Sequence, residues 1–265
     1  MKLHELMNCE MVPVVSTGDF SNDNVANLEL YFKLLKDGDQ SGFCPVLFRK
    51  EGEFYVYTLR YGTNDDLTKE EYTKARERLL DAGTDGCFSV WQGKALYNYY
   101  LQYEANTEEE FSDRVNKLEL IPETDSYIGR FTNKKEQALT GIFDLDEVEM
   151  YIRWEHSFDE YCFALIPTVN PWEILSWIPM GKINFSVTPE YNIALSKMLY
   201  ERYGAKLMLI GYDTLKYYVE EPLYDKKEVE NLIKTLRIFA PDEYPNYEVS
   251  AETIVGSHIW PLWWD

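Results

Sequence analysis

The stretch "AKLMLIGYDTLKYYVEE", Ala205–Glu221, decides how this chain folds. Two runs rich in Leu, Ile, Val and Tyr, "AKLMLIGY" and "TLKYYVEE", are joined tightly at Tyr212-Asp213-Thr214. Apolar and aromatic runs bounded by a polar joint read as two paired strands. Just upstream, Thr188-Pro189-Glu190 opens a helix whose apolar stripe is Tyr191, Ala194, Leu195, Met198 and Leu199, and Gly204 ends it. Just downstream, Asp225-Lys226-Lys227-Glu228 caps a second helix with Val229, Leu232, Ile233 and Leu236 inward, and Pro241 breaks it. A short helical piece near Val249–Val255 follows, and "HIWPLWW" supplies a last strand.

Farther out, Asn170-Pro171-Trp172-Glu173 combines an N-cap, a proline at the first helical position and a capping carboxylate. Before it lies "YCFALIPTV", a nearly all-apolar strand that needs cover on both faces, and before that "EVEMYIRW", which alternates with period two. From 161 to 265 the order is strand, helix, strand, strand, helix, strand, the split β-α-β arrangement of ferredoxin-like domains. In that topology the final strand takes a sheet edge, where Pro261 costs no ladder bond. Alternation sets Trp260, Leu262 and Trp264 on one face and Ile259, Pro261 and Trp263 on the other. Both faces are apolar, so the tail is expected to be buried between the helices and the N-terminal half. One conflict stands: in this topology the 161–166 strand already has two neighbours, so "EVEMYIRW" has no simple hairpin partner there.

The N-terminal half alternates strands and helices. "MVPVV" (11–15), "FCPVLF" (43–48) and "EFYVYTLR" (53–60) read as strands, with a helix near Val25–Lys36. "TKEE", Thr68–Glu71, is a capping box that starts a helix running to about Asp81, and "TEEE" at Thr107–Glu110 repeats the device. The pattern weakens from Thr124 to Gly141, which places a boundary there. The expected fold is therefore mixed α+β, with an N-terminal α/β region at 1–140 and a ferredoxin-like domain at 141–265.

Composition narrows the partners. Against 26 Lys and Arg the chain has 46 Asp and Glu, a net charge of -20. Residues 101–160 alone hold 16 acids and 6 bases. A field of that sign repels nucleic-acid phosphates and anionic lipid and favours a basic partner protein. No apolar run reaches the length of a membrane span, and "MKLHELMNCEM" lacks a signal-peptide core. Cys9, Cys44, Cys87 and Cys162 are scattered with no Cys-x-x-Cys pair, which fits a reducing, cytoplasmic setting.

Phosphate loops, nucleophile elbows and His-Glu-x-x-His are absent from the sequence, and no cofactor is expected. "DGDQSG", Asp37–Gly42, opens like a calcium loop, but Phe48 stands where the bidentate Glu belongs, so a turn before a strand is the better reading. Glu155, His156, Asp159 and Glu160 put an imidazole among carboxylates, a weak metal candidate that also fits a polar hairpin tip. The ferredoxin-like topology gathers Asn170, Trp172, Glu173, Trp177, Asp213 and His258 at one end of the sheet. There an aromatic wall with two acids and a histidine could hold a ligand or a partner side chain.

"NPWEILSWIPMG", "LYERYGAKLMLIGYDTLKYYVEEP" and "HIWPLWWD" resemble, in that order, the bacterial domain-of-unknown-function family 4253. The resemblance covers about the last hundred residues. It implies a bacterial cytoplasmic protein and carries no activity, cofactor or catalytic residue. The sequence thus leads to a non-enzymatic acidic protein-interaction module, one version being an immunity-type protein that neutralises a basic toxin. The alternative is an enzyme or small-ligand binder built on the carboxylate, His and Trp cluster.

Overall fold

The structure is a computed structural model; it describes residues 6–17, 20–49, 68–84, 161–181, 188–211, 213–244 and 247–264. These form strands β1 (Glu10–Pro13), β2 (Cys44–Arg49), β3 (Tyr161–Ile166), β4 (Lys206–Ile210), β5 (Thr214–Tyr218) and β6 (Ile259–Trp263). The helices are α1 (Phe20–Ser41), α2 (Lys69–Thr84), α3 (Ile174–Trp177, entered through a 3-10 turn at Pro171–Glu173), α4 (Pro189–Tyr203), α5 (Lys226–Phe239) and α6 (Tyr247–Ile254). "EFYVYTLR", "TEEE", "EVEMYIRW" and the Glu155–Glu160 cluster lie outside the described residues.

The strands make one mixed sheet in the order β1-β3-β2-β4-β5-β6, and the fold class is α+β. Only β2 and β4 run parallel; every other neighbouring pair is antiparallel. This differs from the ferredoxin-like order, in which β3 would lie beside β5 and β6. Instead β4, β5 and β6 form a simple meander, and β2 separates β3 from β4. The reason lies in β2: Val46 and Phe48 are buried in one apolar cluster and Leu47 in the other, so it needs cover on both faces and takes a central place. Pro45, which has no N–H to donate, precedes the part of β2 that pairs with β4. The sheet thus takes two strands from before residue 140 and four from after it.

Each face of the sheet has its own apolar cluster. Helix α1 covers one, with Leu28, Tyr31 and Leu34 packed on Leu47, Phe163, Leu165 and Met208. The other carries the larger core, where Ile193, Leu195 and Leu199 of α4 and Val229, Leu232 and Leu236 of α5 meet Val46, Ile166, Leu207 and Tyr217. A register shift in β4 between Leu207 and Leu209 puts the consecutive residues Met208 and Leu209 on the same α1-covered face.

Several helix ends follow from local chemistry. The Thr68 capping box forms: its N–H donates to Glu71 Oε2 at 2.8 Å while the Glu71 N–H donates to Thr68 Oγ1 at 3.3 Å. Asp225 caps α5 by accepting from the Glu228 N–H at 2.9 Å. Helix α1 is longer than Val25–Lys36, because "DGDQS" continues it rather than forming the expected turn. The amides of Gly42 and Phe43 both donate back to the Gly38 carbonyl, at 2.8 and 3.3 Å, and Gly42 ends the helix at φ +79°. At the other end of α1, Asn27 bonds both backbone groups of Val15, and Asp23 accepts from the Thr17 N–H and hydroxyl.

The tryptophan-rich tail is strand β6, last in the order of the described strands. Trp260, Leu262 and Trp264 are buried in the larger core, while Ile259 packs on the α1-side cluster. The Trp264 indole N–H donates to the Phe239 carbonyl at 2.6 Å, and Trp260 meets the Tyr203 ring edge-on. The β6 residues that bond to β5 alternate with Ile259, Pro261 and Trp263, whose backbone groups face away from β5. Two of those carbonyls are already occupied. The Tyr244 hydroxyl donates to Pro261 O at 2.6 Å, and the Ser257 hydroxyl donates to Ile259 O at 2.7 Å.

Candidate functional site

The segment after β3 is held by a closed set of hydrogen bonds. Thr168, nearly buried, donates from its hydroxyl to Glu173 Oε2 at 2.6 Å, and the Asn170 side-chain amide donates to Glu173 Oε1 at 2.7 Å. The Asn170 N–H in turn donates to Thr168 Oγ1 at 3.1 Å. Asn170 therefore stands at the helix start without capping it by its side chain, contrary to the sequence reading. Both oxygens of Glu173 accept bonds from neutral neighbours. The tip of this braced loop exposes Val169, 71% accessible.

The two tryptophans that follow are each covered by a cation. The Arg76 guanidinium of α2 lies 4.0 Å from the Trp177 ring centre, and Lys197 Nζ of α4 lies 5.3 Å from that of Trp172. Tyr72, buried one turn before Arg76, donates its hydroxyl to the Trp177 carbonyl at 2.7 Å. Burial holds that phenol far above its ordinary pKa, with Arg76 pulling weakly the other way. The indole Nε1–H of Trp177 is buried with no acceptor. Arg76 and Lys197 escape a sequence reading because each indole is far away along the chain and each cation sits on an ordinary amphipathic helix.

The remaining candidates lie elsewhere. Asp213 closes the β4–β5 turn: it accepts from the Thr214 hydroxyl at 3.0 Å, and its carbonyl accepts from the Trp264 N–H at 3.2 Å. His258 precedes β6 at the other end of the same meander, with Nδ1 2.9 Å from the Val219 carbonyl and its ring stacked on Tyr218. From Asp213 to Val219 the chain runs along β5, a span of about 20 Å at ~3.4 Å per residue. Glu173 follows β3, which lies four strands from β6 in the sheet order, about 19 Å at ~4.8 Å per strand. Asn170, Trp172, Glu173 and Trp177 are thus one local group, while Asp213 and His258 are separate from it and from each other. The ferredoxin-like order that was to unite them is not the order the sheet has.

Cys9 and Cys44 are held as protonated thiols. Burial pushes Cys9 up to about 11 and Cys44 up to about 12, the latter further raised by Asp39 and Glu173 and partly offset by Lys206. Among the described residues no three His, Cys, Asp or Glu side chains gather closely enough to hold a metal ion.

The matched ends of this architecture, β3 with the braced loop and β6 with its buried indoles, coincide with a known sequence family. Residues 162–265 match the family Domain of unknown function (DUF4253). No curated protein and no solved structure matches the chain. The DUF4253 segment supplies β3 to β6 but not β2, so the strand lying between its first and second strands comes from outside it.

Proposed function

We propose that this chain is a non-enzymatic, acidic protein-interaction module of the bacterial cytoplasm that captures a basic partner, with neutralisation of a basic toxin as one form of that role. The observation that carries this reading is the net charge of -20. A surface of that charge attracts a cationic protein from beyond contact distance and raises its association rate. The free cysteines Cys9 and Cys44 suit a reducing compartment. Among the described residues no helix is long and apolar enough to cross a membrane. The alternative of acid–base catalysis has less support, because Asp213, Glu173 and His258 stand at separate places on the sheet and Glu173 accepts neutral donors on both oxygens.

The test is affinity capture with the full chain at low and at high salt, followed by identification and direct titration of what is retained. A basic protein bound at low salt and released at high salt, with a measured dissociation constant that weakens as salt rises, supports the reading. Retention of no basic protein under either condition overturns it.

A further inference from the structure

We propose that Cys9 and Met11, neighbours at the start of β1, form a two-sulfur site for Cu(I) in which part of the ion's coordination stays open to a ligand from solution. The site is separate from the capture of a basic partner and does not rest on it.

Two sulfurs are brought together here by the backbone. Asn8, in the left-handed region at φ +51°, turns the chain into β1 just ahead of Cys9. Pairing of Glu10–Pro13 with Cys162–Leu165 of β3 then fixes the strand in register. Successive side chains of a strand alternate, so Cys9 and Met11 share a face and Glu10 is turned to the other. The Cys9 thiol donates to the Met11 thioether, with the two sulfurs 3.8 Å apart. Both side chains pack on the margin of the larger core and are only half-buried, so an ion can reach them. Opposite Met11 stands Ala164, the smallest side chain of β3, which puts no more than a methyl group beside the thioether from that strand.

The donor set selects the ion. Thiolate and thioether sulfur are soft ligands that favour Cu(I), zinc or iron–sulfur clusters, whereas magnesium and calcium take oxygen. Structural zinc and the clusters ask for four protein ligands. Among the described residues Cys9 belongs to no group of three His, Cys, Asp or Glu side chains that could supply them. What stands beside it is a second soft sulfur, and a soft ion of low coordination number is what such a pair suits.

The spacing suits a bent arrangement. At a metal–sulfur distance of about 2.3 Å, as for the d10 zinc ion, sulfurs 3.8 Å apart subtend about 110° at the metal. A linear two-coordinate ion would need them about 4.6 Å apart at the same bond length, so a further ligand completes the coordination. On binding, the ion takes the place of the Cys9 thiol proton, which leaves to solvent, and no electron is transferred. Burial opposes a bare thiolate at Cys9, but a Cu(I)–thiolate unit has no net charge, and metal coordination deprotonates the thiol outright.

Anaerobic titration of the full-length chain with Cu(I) held by bicinchoninate, whose colour fades as the ion is withdrawn, tests this. Cys9→Ser is expected to withdraw one equivalent fewer than wild type. Met11→Leu, a swap close in volume that the packing tolerates, should weaken that equivalent about 10-fold or more, since even outer partners of a metal site are worth 10–100-fold. Met198→Leu, on α4, should change nothing. A second measurement needs no variant: one equivalent of Cu(I) should protect Cys9 of the folded wild type from N-ethylmaleimide, read by mass spectrometry of the Cys9 peptide. An equal amount of zinc should leave the ion in place, and displacement by zinc would overturn the choice of metal. No withdrawal of Cu(I) by the wild type, wild-type uptake and affinity in both Cys9→Ser and Met11→Leu, or equal labelling of Cys9 with and without the ion overturns the site itself.

Discussion

Replacing Trp264 tests whether the end of the chain is a structural element of the core. The side chain is 1% exposed and its indole N–H donates to the Phe239 carbonyl at 2.6 Å. Trp264→Ala removes both the ring and that bond, and large-to-small changes of an aromatic in a packed core cost about 3–5 kcal/mol. Trp264→Phe separates the two contributions. It loses the hydrogen bond, about 1 kcal/mol, and roughly 50 Å² of apolar area, about 1 kcal/mol more at ~25 cal/mol per Å². The expected order is therefore Ala, then Phe, each well below wild type, with Trp263→Ala milder than Trp264→Ala because Trp263 is only half-buried. Urea unfolding followed by circular dichroism measures this, with the midpoint falling and the slope unchanged if the native state stays compact. A loss of less than about 1 kcal/mol for Trp264→Ala would place it among surface substitutions and refute the claim that the tail is locked into the core.

Gly83→Ala should destabilise although alanine is the better helix former by about 1 kcal/mol: a Cβ there would stand 2.7 Å from Ile193 Cβ, and overpacking costs about 1–3 kcal/mol. A gain in thermal midpoint would contradict that close approach of α2 to α4. Alkaline pH should also destabilise. Cys9 and Cys44 are raised from 9.0 to about 11 and about 12, and Tyr203 from 10.0 to about 12, chiefly by burial. The folded chain thus holds protons that the unfolded chain releases, so unfolding free energy is full below the unfolded values and falls as pH rises through the folded ones. Urea midpoints that stay level from neutral pH to about pH 11 would sink this. Tyr244→Phe, which removes the hydroxyl bound to Pro261 O, should cost about 1 kcal/mol in the same urea assay; no loss would mean that water replaces the bond freely.

Much of the architecture is readable from local chemistry because each signal acts within one element. The Thr68–Glu71 capping box, the Asp225 cap, the all-apolar 161–166 strand and the alternation of the tail are each satisfied where the sequence puts them. Strand order is a different kind of information. An all-apolar strand announces that both faces are covered but not which strand lies beside it, and β2 and β3 are both of that kind. The split β-α-β order is consistent with the pattern of elements after 161, yet it has no place for a strand from residues 44–49. The site inherits the same difficulty. Asn170, Trp172, Glu173 and Trp177 come together because they are neighbours in sequence, whereas Asp213 and His258 were linked only through the strand order and stand apart without it. The "DGDQS" run shows the limit at a helix end: glycines and aspartates favour turns, but the double bond onto the Gly38 carbonyl and close packing at Phe43 keep it helical.

The outer side of β6 restricts how another protein can hold this one. Partners often attach by lending an extended segment that continues a host sheet, a mode that needs a free row of backbone donors and acceptors. Here proline withholds one donor, and the Tyr244 and Ser257 hydroxyls fill two acceptors. Recognition along this margin must therefore come from side chains, and a bound partner should leave the amide exchange rates of β6 nearly as they are in the free protein.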